Sequence, residues 1–168
     1  RAYGKIILES RRSAVSEEDY SKAVCAAVKA DGIEWLPLEK NSRDFLKRCG
    51  FYAENCGSGE DGFRLKLKNL ALNAEEWLVP FIPRGEKVNA QSVYNALYWY
   101  LDGAKVCECV PAEITLENGR HRKLLYEKNG DKTVPVLEVI IQQVFGCFST
   151  PRVMGVPVLM RLLSPARR

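Results

Sequence analysis

Glu113-Ile114-Thr115-Leu116-Glu117-Asn118-Gly119-Arg120-His121-Arg122-Lys123-Leu124-Leu125-Tyr126-Glu127 is where the pattern of the chain changes. Two strand-like runs, Glu113–Glu117 and Arg122–Glu127, flank Asn118-Gly119. That dipeptide is the strongest short hairpin signal, because both central positions of a type I′ turn need positive φ. Before it, apolar residues recur at helical spacing. After it come a second turn at Asn129-Gly130-Asp131, a helix starting at Pro135, and a final apolar run, Val153–Leu163. The expected fold class is α+β: a helical N-terminal two-thirds, then a β-hairpin–helix–strand C-terminal unit.

Upstream, Ser16 with Asp19 forms a capping box, and Val15 is placed to staple onto Tyr20. Tyr20, Val24, Ala27 and Val28, with Ala23 beside them, give a stripe that Gly32 closes, so residues 16–31 are expected to be an amphipathic helix. Trp35-Leu36-Pro37-Leu38 turns the chain. Asn41 or Ser42 caps a second expected helix to Ala53, with Phe45, Leu46, Cys49 and Phe51 or Tyr52 inward. The Gly-rich stretch 55–62 is a loop. Phe63, Leu65 and Leu67 alternate with Arg64, Lys66 and Lys68 in a strand-like way, and 63–69 is left open between helix and strand. A helix is expected over Leu70–Phe81 with Asn73 as a candidate cap. Another begins after Asn89, with Val93, Ala96, Leu97, Tyr100 and Leu101 inward, and a short one covers Ala104–Val110 after Gly103. Lys5–Glu9 reads as a short strand, and Arg11–Ser13 as a polar connection.

In the C-terminal unit, Pro135 suits a first helical turn, Leu137, Ile140, Ile141 and Val144 form one face, and Val136 and Phe145 widen it. Val153–Leu163 is apolar on both faces and short, which reads as a buried strand.

Hydrophobic residues are 46% and charged residues 27% of the 168, which excludes a disordered tail, a collagen-like rod and a low-complexity linker. No stretch has the ~20 uninterrupted apolar residues of a membrane-spanning helix, and no membrane partner is expected. The first residue is Arg1 and no apolar signal-type segment follows, so the chain is expected to be a piece of a longer polypeptide. Cysteines stand at 25, 49, 56, 107, 109 and 147. An even count permits disulfides, but the helices assemble from apolar faces alone, so free thiols in a reducing cytoplasm are expected. Cys107-x-Cys109 lacks zinc-site spacing and a second half, so no metal site is expected.

Nucleotide and catalytic motifs are missing from these residues. Gly4-Lys5 is followed by Ile6 without an upstream P-loop glycine, and there is no DExH or DEAD tetrad, G-x-S-x-G or H-E-x-x-H. A Cys–His dyad could use only His121, which reads instead as an exposed residue on a basic hairpin arm. Glu17/Glu18 and Glu75/Glu76 fall in first helical turns, where the helix dipole explains them without acid–base work. Tyr98, Trp99 and Tyr100 on a helix read as core. No catalytic residue is expected.

The positive charge is uneven. From residue 118 on, nine basic residues face three acids, so this third carries +6 and the rest −2. Arg120, Arg122, Lys123, Arg152, Arg161, Arg167 and Arg168 are the candidate nucleic-acid-binding residues, neutralising phosphates without reading sequence. The alternative is a solvated face, or one that docks on an acidic neighbour.

The C-terminal residues carry a resemblance. Val134-Pro135-Val136-Leu137-Glu138-Val139, Gln142-Gln143-Val144-Phe145-Gly146, Thr150-Pro151-Arg152, Val156-Pro157-Val158-Leu159 and Leu162-Leu163-Ser164-Pro165-Ala166-Arg167-Arg168 occur in the order found in the C-terminal region of the bacterial HrpB-type ATP-dependent helicases, and the stretch resembles that region. Glu75-Glu76-Trp77-Leu78-x-Pro80-Phe81 is similar to the family's E-W-L-x-P-Y segment. Ile33-Glu34-Trp35-Leu36-Pro37 is similar to its G-L-x-x-L-P-W turn, and Ile6-Ile7-Leu8-Glu9 to the strand leading into it. Residues 55–69 depart from the family's helical lead-in, and the family's usual continuation past L-L-S-P-A-R-R is absent, so the last unit is expected to be truncated.

The resemblance implies a DExH-box parent with two RecA-like domains upstream, which would bind ATP and Mg; no cofactor is implied within this chain. It implies residues 1–10 as the end strand of a preceding domain, 14–110 as a helical subdomain and 111–168 as a small α+β subdomain. The implied role is a non-catalytic accessory region whose partners are the upstream helicase domains of the same polypeptide and RNA or DNA. A protein-interaction module docking an acidic partner is the alternative, and a freestanding cysteine-nucleophile enzyme a third reading.

Overall fold

A computed structural model describes residues 16–83 and 86–164, together with the backbone of two short strands, β1 (Ala2–Tyr3) and β2 (Ile6–Ile7), which pair antiparallel. The rest of the expected 5–9 strand, the 11–13 connection, the Val15 staple, Arg167 and Arg168 lie outside the described residues.

α1 spans Glu17–Asp31. The Ser16 hydroxyl accepts from the Asp19 amide at 3.1 Å, and Gly32, at φ +83°, closes the helix by donating to the Val28 carbonyl at 2.9 Å. Val24, Cys25 and Val28 are buried, while Ala23 is exposed, one position off the expected stripe. α2 (Lys40–Asn55) is the hub of the fold, packing against helices and strands of both halves; Ser42, Phe45, Cys49, Phe51 and Tyr52 are buried along it. It starts ahead of the expected Asn41 or Ser42 cap, with Glu39 at the cap position and no side-chain cap bond, and Ser42 is buried instead. The 63–69 ambiguity resolves as helix α3 (Asp61–Lys68), which takes in the end of the expected loop. Arg64 decides it: Nε donates to the Ala53 carbonyl (2.9 Å) and Nη2 to the Cys56 carbonyl (2.6 Å), so α3 caps the end of α2. Phe63 packs edge-on against Tyr52 at 4.9 Å, and Leu65 is left in solvent.

The helix expected over Leu70–Phe81 is shorter. Only α4 (Ala74–Trp77) is helical, followed by a 3-10 turn at Val79–Phe81 that contains Pro80, whose ring and missing N–H end the α-helix. Trp77 is fully buried and its Nε1 donates to the Leu70 carbonyl at 2.8 Å, which holds the preceding turns out of helix. Asn73 precedes α4 without a side-chain cap bond; its amide instead donates to the Tyr100 hydroxyl. α5 (Ala90–Tyr100) starts with the Asn89/Ser92 capping box, and Val93, Ala96, Leu97, Tyr100 and Leu101 are buried as expected. α6 is Gly103–Cys109. A methyl group at Gly103 would sit 2.3 Å from the Tyr98 ring, so the close approach of α6 to α5 needs glycine.

The C-terminal half is a four-stranded sheet in the order β3 (Glu113–Thr115), β4 (His121–Asn129), β5 (Lys132–Ile140), β8 (Leu159–Leu163). The first two junctions are antiparallel and β5–β8 is parallel. A small hairpin, β6 (Arg152–Val153) and β7 (Val156–Pro157), turns at Met154-Gly155. The α+β class therefore holds, with helices first and a sheet after. Two elements differ. The helix expected from Pro135 is strand β5: Pro135, Val136, Leu137 and Val139 are all buried, and a run apolar on every side carries no period with which to tell helix from strand. Its β-branched residues favour the pleated ladder, and only Ile141–Gln143 coil into a single 3-10 turn. The single buried strand expected over Val153–Leu163 is broken by the β6–β7 hairpin, and β8 is an edge strand with Leu159 and Leu162 in solvent.

The 118–119 hairpin is present, but not as a type I′ turn. Only Gly119 has positive φ (+76°); its amide donates to the Leu116 carbonyl (2.8 Å) and the Leu116 amide to the Arg120 carbonyl (2.9 Å). This is the three-residue loop with a left-handed glycine. One continuous buried cluster runs from Val24 to Val158 and includes Phe51, its ring centroid 5.3 Å from that of Tyr126 and tilted 51° to it, joining the helices to the sheet.

Candidate nucleic-acid interface

Five of the seven candidate basic residues fall among the described residues, and their carboxylate partners divide them. Arg161 on β8 is doubly paired, Nη2 to Glu127 on β4 and Nη1 to Glu138 on β5, both at 2.7 Å. The bond from Arg161 holds the Glu127 carboxyl below its usual range. Lys123 on β4 reaches Asp44 on α2 at 3.4 Å. These two cations serve the joints between strands and between sheet and helix rather than standing free.

Arg120, Arg122 and Arg152 have, among the described residues, only carbonyl partners: Gln142 (3.4 Å), His121 (2.8 Å) and Gly155 (3.0 Å) respectively. Arg120 and Arg152 are exposed. Arg122 is half-buried, and its Nε is buried with no hydrogen-bond partner among the described residues. Arg120 and Arg122 stand together at the turn end of the β3–β4 hairpin. Arg152 is three residues past Ser149, which is bonded to Glu117 of the same hairpin end, so chain length keeps Arg152 within about 11 Å of that anchor. His121 is exposed, with Nδ1 2.9 Å from the Thr115 hydroxyl.

The hairpin tip also holds the segment after β5. Asn118 Nδ2 donates to the carbonyls of Gln143 (2.9 Å) and Phe145 (3.1 Å). The Glu117 carboxylate accepts from the Phe148 amide (2.5 Å) and the Ser149 hydroxyl, and the Ser149 and Phe148 bonds hold its carboxyl below the usual range. Phe145, expected on a buried face, is 66% exposed, and Phe148, which the periodicity did not single out, is 96% exposed. Trp99, expected in the core, is 64% exposed, its ring 6.0 Å from Phe81. Tyr98 does pack inward, 5.7 Å from Phe45.

One member of each acidic pair in a first helical turn forms an ion pair. Glu18 bridges Lys22 within α1, and Glu75 bridges Lys29 at 2.8 Å, tying α4 to α1. Among the described residues no three His, Cys, Asp or Glu side chains converge as a metal site, and no helix is long and apolar enough to cross a membrane. The six cysteines are free thiols, with Cys25, Cys49 and Cys56 buried. A groove of about 630 Å³ is lined by Leu38, Leu46 and Leu70 together with Arg43, Lys47 and Lys128.

Residues 77–168 match the ATP-dependent helicase C-terminal family, HrpB_C. The chain belongs to this family. The match begins at Trp77 in the E-E-W-L-x-P segment and takes in the whole sheet. The crystal structure of the Escherichia coli DExH-box NTPase HrpB superposes with a TM-score of 0.71 at 21% identity, over 94% of this chain and 20% of that one. A second structure, of the Escherichia coli DEAH/RHA helicase HrpB, gives 0.68 at 20% identity, over 95% and 21%. The shared fold thus includes the helical half, which lies largely outside the family match. The chain spans about a fifth of the length of those solved proteins. No curated protein sequence matches it at a significant level.

Proposed function

We propose that the chain is the non-catalytic accessory region of an HrpB-like ATP-dependent RNA helicase, packing on the helicase core and offering a basic surface to RNA or DNA. In this reading residues 1–10 end a preceding domain, the helical 14–110 and α+β 111–168 units form the accessory part, and ATP and Mg are bound by upstream domains of the same polypeptide. The protein works in a reducing cytoplasm.

The observation that carries the nucleic-acid role is the trio of guanidinium groups without carboxylate partners among the described residues, Arg120, Arg122 and Arg152. An unpaired guanidinium in water loses little when it meets a phosphate, whereas Arg161 would first have to leave two carboxylates. Arg122 gives up no bond at its orphaned Nε when it swings outward. Binding to a labelled single strand, titrated across salt, tests this. Affinity should fall linearly in log–log form, and the combined R120Q/R122Q/R152Q variant should flatten the slope by about 2, roughly 0.7 for each phosphate no longer neutralised. R161Q should leave the slope unchanged. Absence of binding at low salt refutes the nucleic-acid role and leaves docking on an acidic protein surface.

A further inference from the structure

We propose that Phe145 and Phe148 are base-stacking residues for single-stranded nucleic acid, held in place by the β3–β4 hairpin tip. The inference rests on the nucleic-acid reading above and assigns the bases to particular side chains.

The order of burial in this segment is the reverse of what hydrophobicity dictates. Val144 and Cys147, the smaller residues, pack against the core, while Phe145 and Phe148 stand in solvent at 66% and 96% exposure. Isolated exposed apolar residues are ordinary; two aromatic rings three positions apart, on a segment fixed at four points, are not. Those points are the Asn118 bonds to the Gln143 and Phe145 carbonyls and the Glu117 bonds to the Phe148 amide and Ser149 hydroxyl. Three of them fall on Phe145, Phe148 or the residue next to it, so the tip fixes the backbone that carries both rings and leaves their faces open.

The charge beside the rings selects the occupant. Arg120 donates to the Gln142 carbonyl of the same segment and has no carboxylate partner among the described residues. Glu117, the acid closest to the rings in the bonding network, spends its oxygens on the clamp. After Glu138 the sequence contains no acid at all. Aromatic faces next to uncompensated guanidinium groups suit a polymer with stackable bases and anionic linkages, and stacking accepts every base because each has a π-face.

The experiment uses the full 168-residue chain. Anisotropy is measured with labelled oligothymidine and oligouridine, and with an abasic strand of the same length and charge. F145A/F148A should weaken binding to the base-bearing strands by about fivefold to a hundredfold per engaged ring, with the salt slope unchanged. F145Y/F148Y should restore it, and wild type should bind the abasic strand as weakly as F145A/F148A binds the others. Both positions are exposed, and an unchanged melting temperature confirms that the variants fold. If F145A/F148A binds base-bearing strands within about twofold of wild type, or wild type binds the abasic strand equally well, stacking is overturned while phosphate binding stands, and the rings belong to a protein-docking face. If wild type binds no strand, the underlying reading falls and takes this inference with it.

Discussion

Replacing Glu54 tests one of the polar joints between the helical half and the sheet. Glu54 lies in the last turn of α2 and meets the β4–β5 hairpin through three donors: the Thr133 amide (2.6 Å), the Thr133 hydroxyl (2.8 Å) and Lys128 Nζ (2.9 Å). Thr133 is one of only two buried polar residues among the described residues, so Glu54→Ala leaves an amide and a hydroxyl without an acceptor at a buried site. A buried donor stripped of its partner costs about 1–3 kcal/mol. The Glu54 carboxylate is partly open to water, which can refill the site, so the low end applies to each donor and the exposed Lys128 pair adds little. The expected loss is about 2 kcal/mol, which for a chain of this size lowers Tm by about 4–8 °C. Glu54→Gln keeps one acceptor and should lose about half of that. Burial pushes the Glu54 carboxyl up, but the Thr133 and Lys128 hydrogen bonds outweigh it, so the folded-state value lies below the ordinary 4.5. A depressed carboxyl stabilises the fold above its unfolded value and stops doing so as pH falls through the folded one. The Tm gap between wild type and Glu54→Gln should therefore be full at neutral pH and narrow as pH drops below about 4.5. Far-UV circular dichroism melts of both variants, from neutral pH downward, measure it. A Glu54→Ala melt within about 1 °C of wild type, or a gap that widens in acid, refutes the joint.

Three other outcomes follow from the packing. Gly103→Ala places a methyl group against the Tyr98 ring and should destabilise by about 1–3 kcal/mol, read as a lower midpoint in urea with unchanged slope. Asn89→Ala removes the capping box of α5 and should cost about 1 kcal/mol in the same assay, with Asn89→Asp close to neutral. Burial raises the Cys49 thiol to about 12, so mass-mapped alkylation of native protein should label the half-exposed Cys107, Cys109 and Cys147 well before Cys49; early labelling of Cys49 would mean that α2 opens locally.

The Arg161 arrangement explains why composition overstates the unpaired positive charge. The third after residue 118 carries +6 by count, yet one of its arginines is spent on the sheet itself and Lys123 on the joint to α2. What remains at the hairpin end, among the described residues, is a smaller cationic set beside two exposed rings.

The caps at Ser16, Asn89 and Gly32 were legible in the residues because the atoms that decide them lie within four positions of one another, whereas the caps expected at Asn41 or Ser42 and at Asn73 did not form. Ser16 with Asp19, Asn89 with Ser92, and Gly32 at the end of α1 all settle within one turn of helix. The family resemblance was legible for a similar reason, as an ordered string of local motifs. Tertiary structure alone decided whether Val134–Ile140 coiled or extended, since that depended on ladders to Leu124–Asn129 and Leu159–Leu163. It also decided which arginine the carboxylates take up, because the acids that bind Arg161 stand 23 and 34 positions away, and that the segment carrying Phe145 and Phe148 is tied to a hairpin tip some 30 residues upstream. Partners so distant in sequence leave no periodic trace: their contact is set by the closing of the chain, not by the spacing of the side chains that make it.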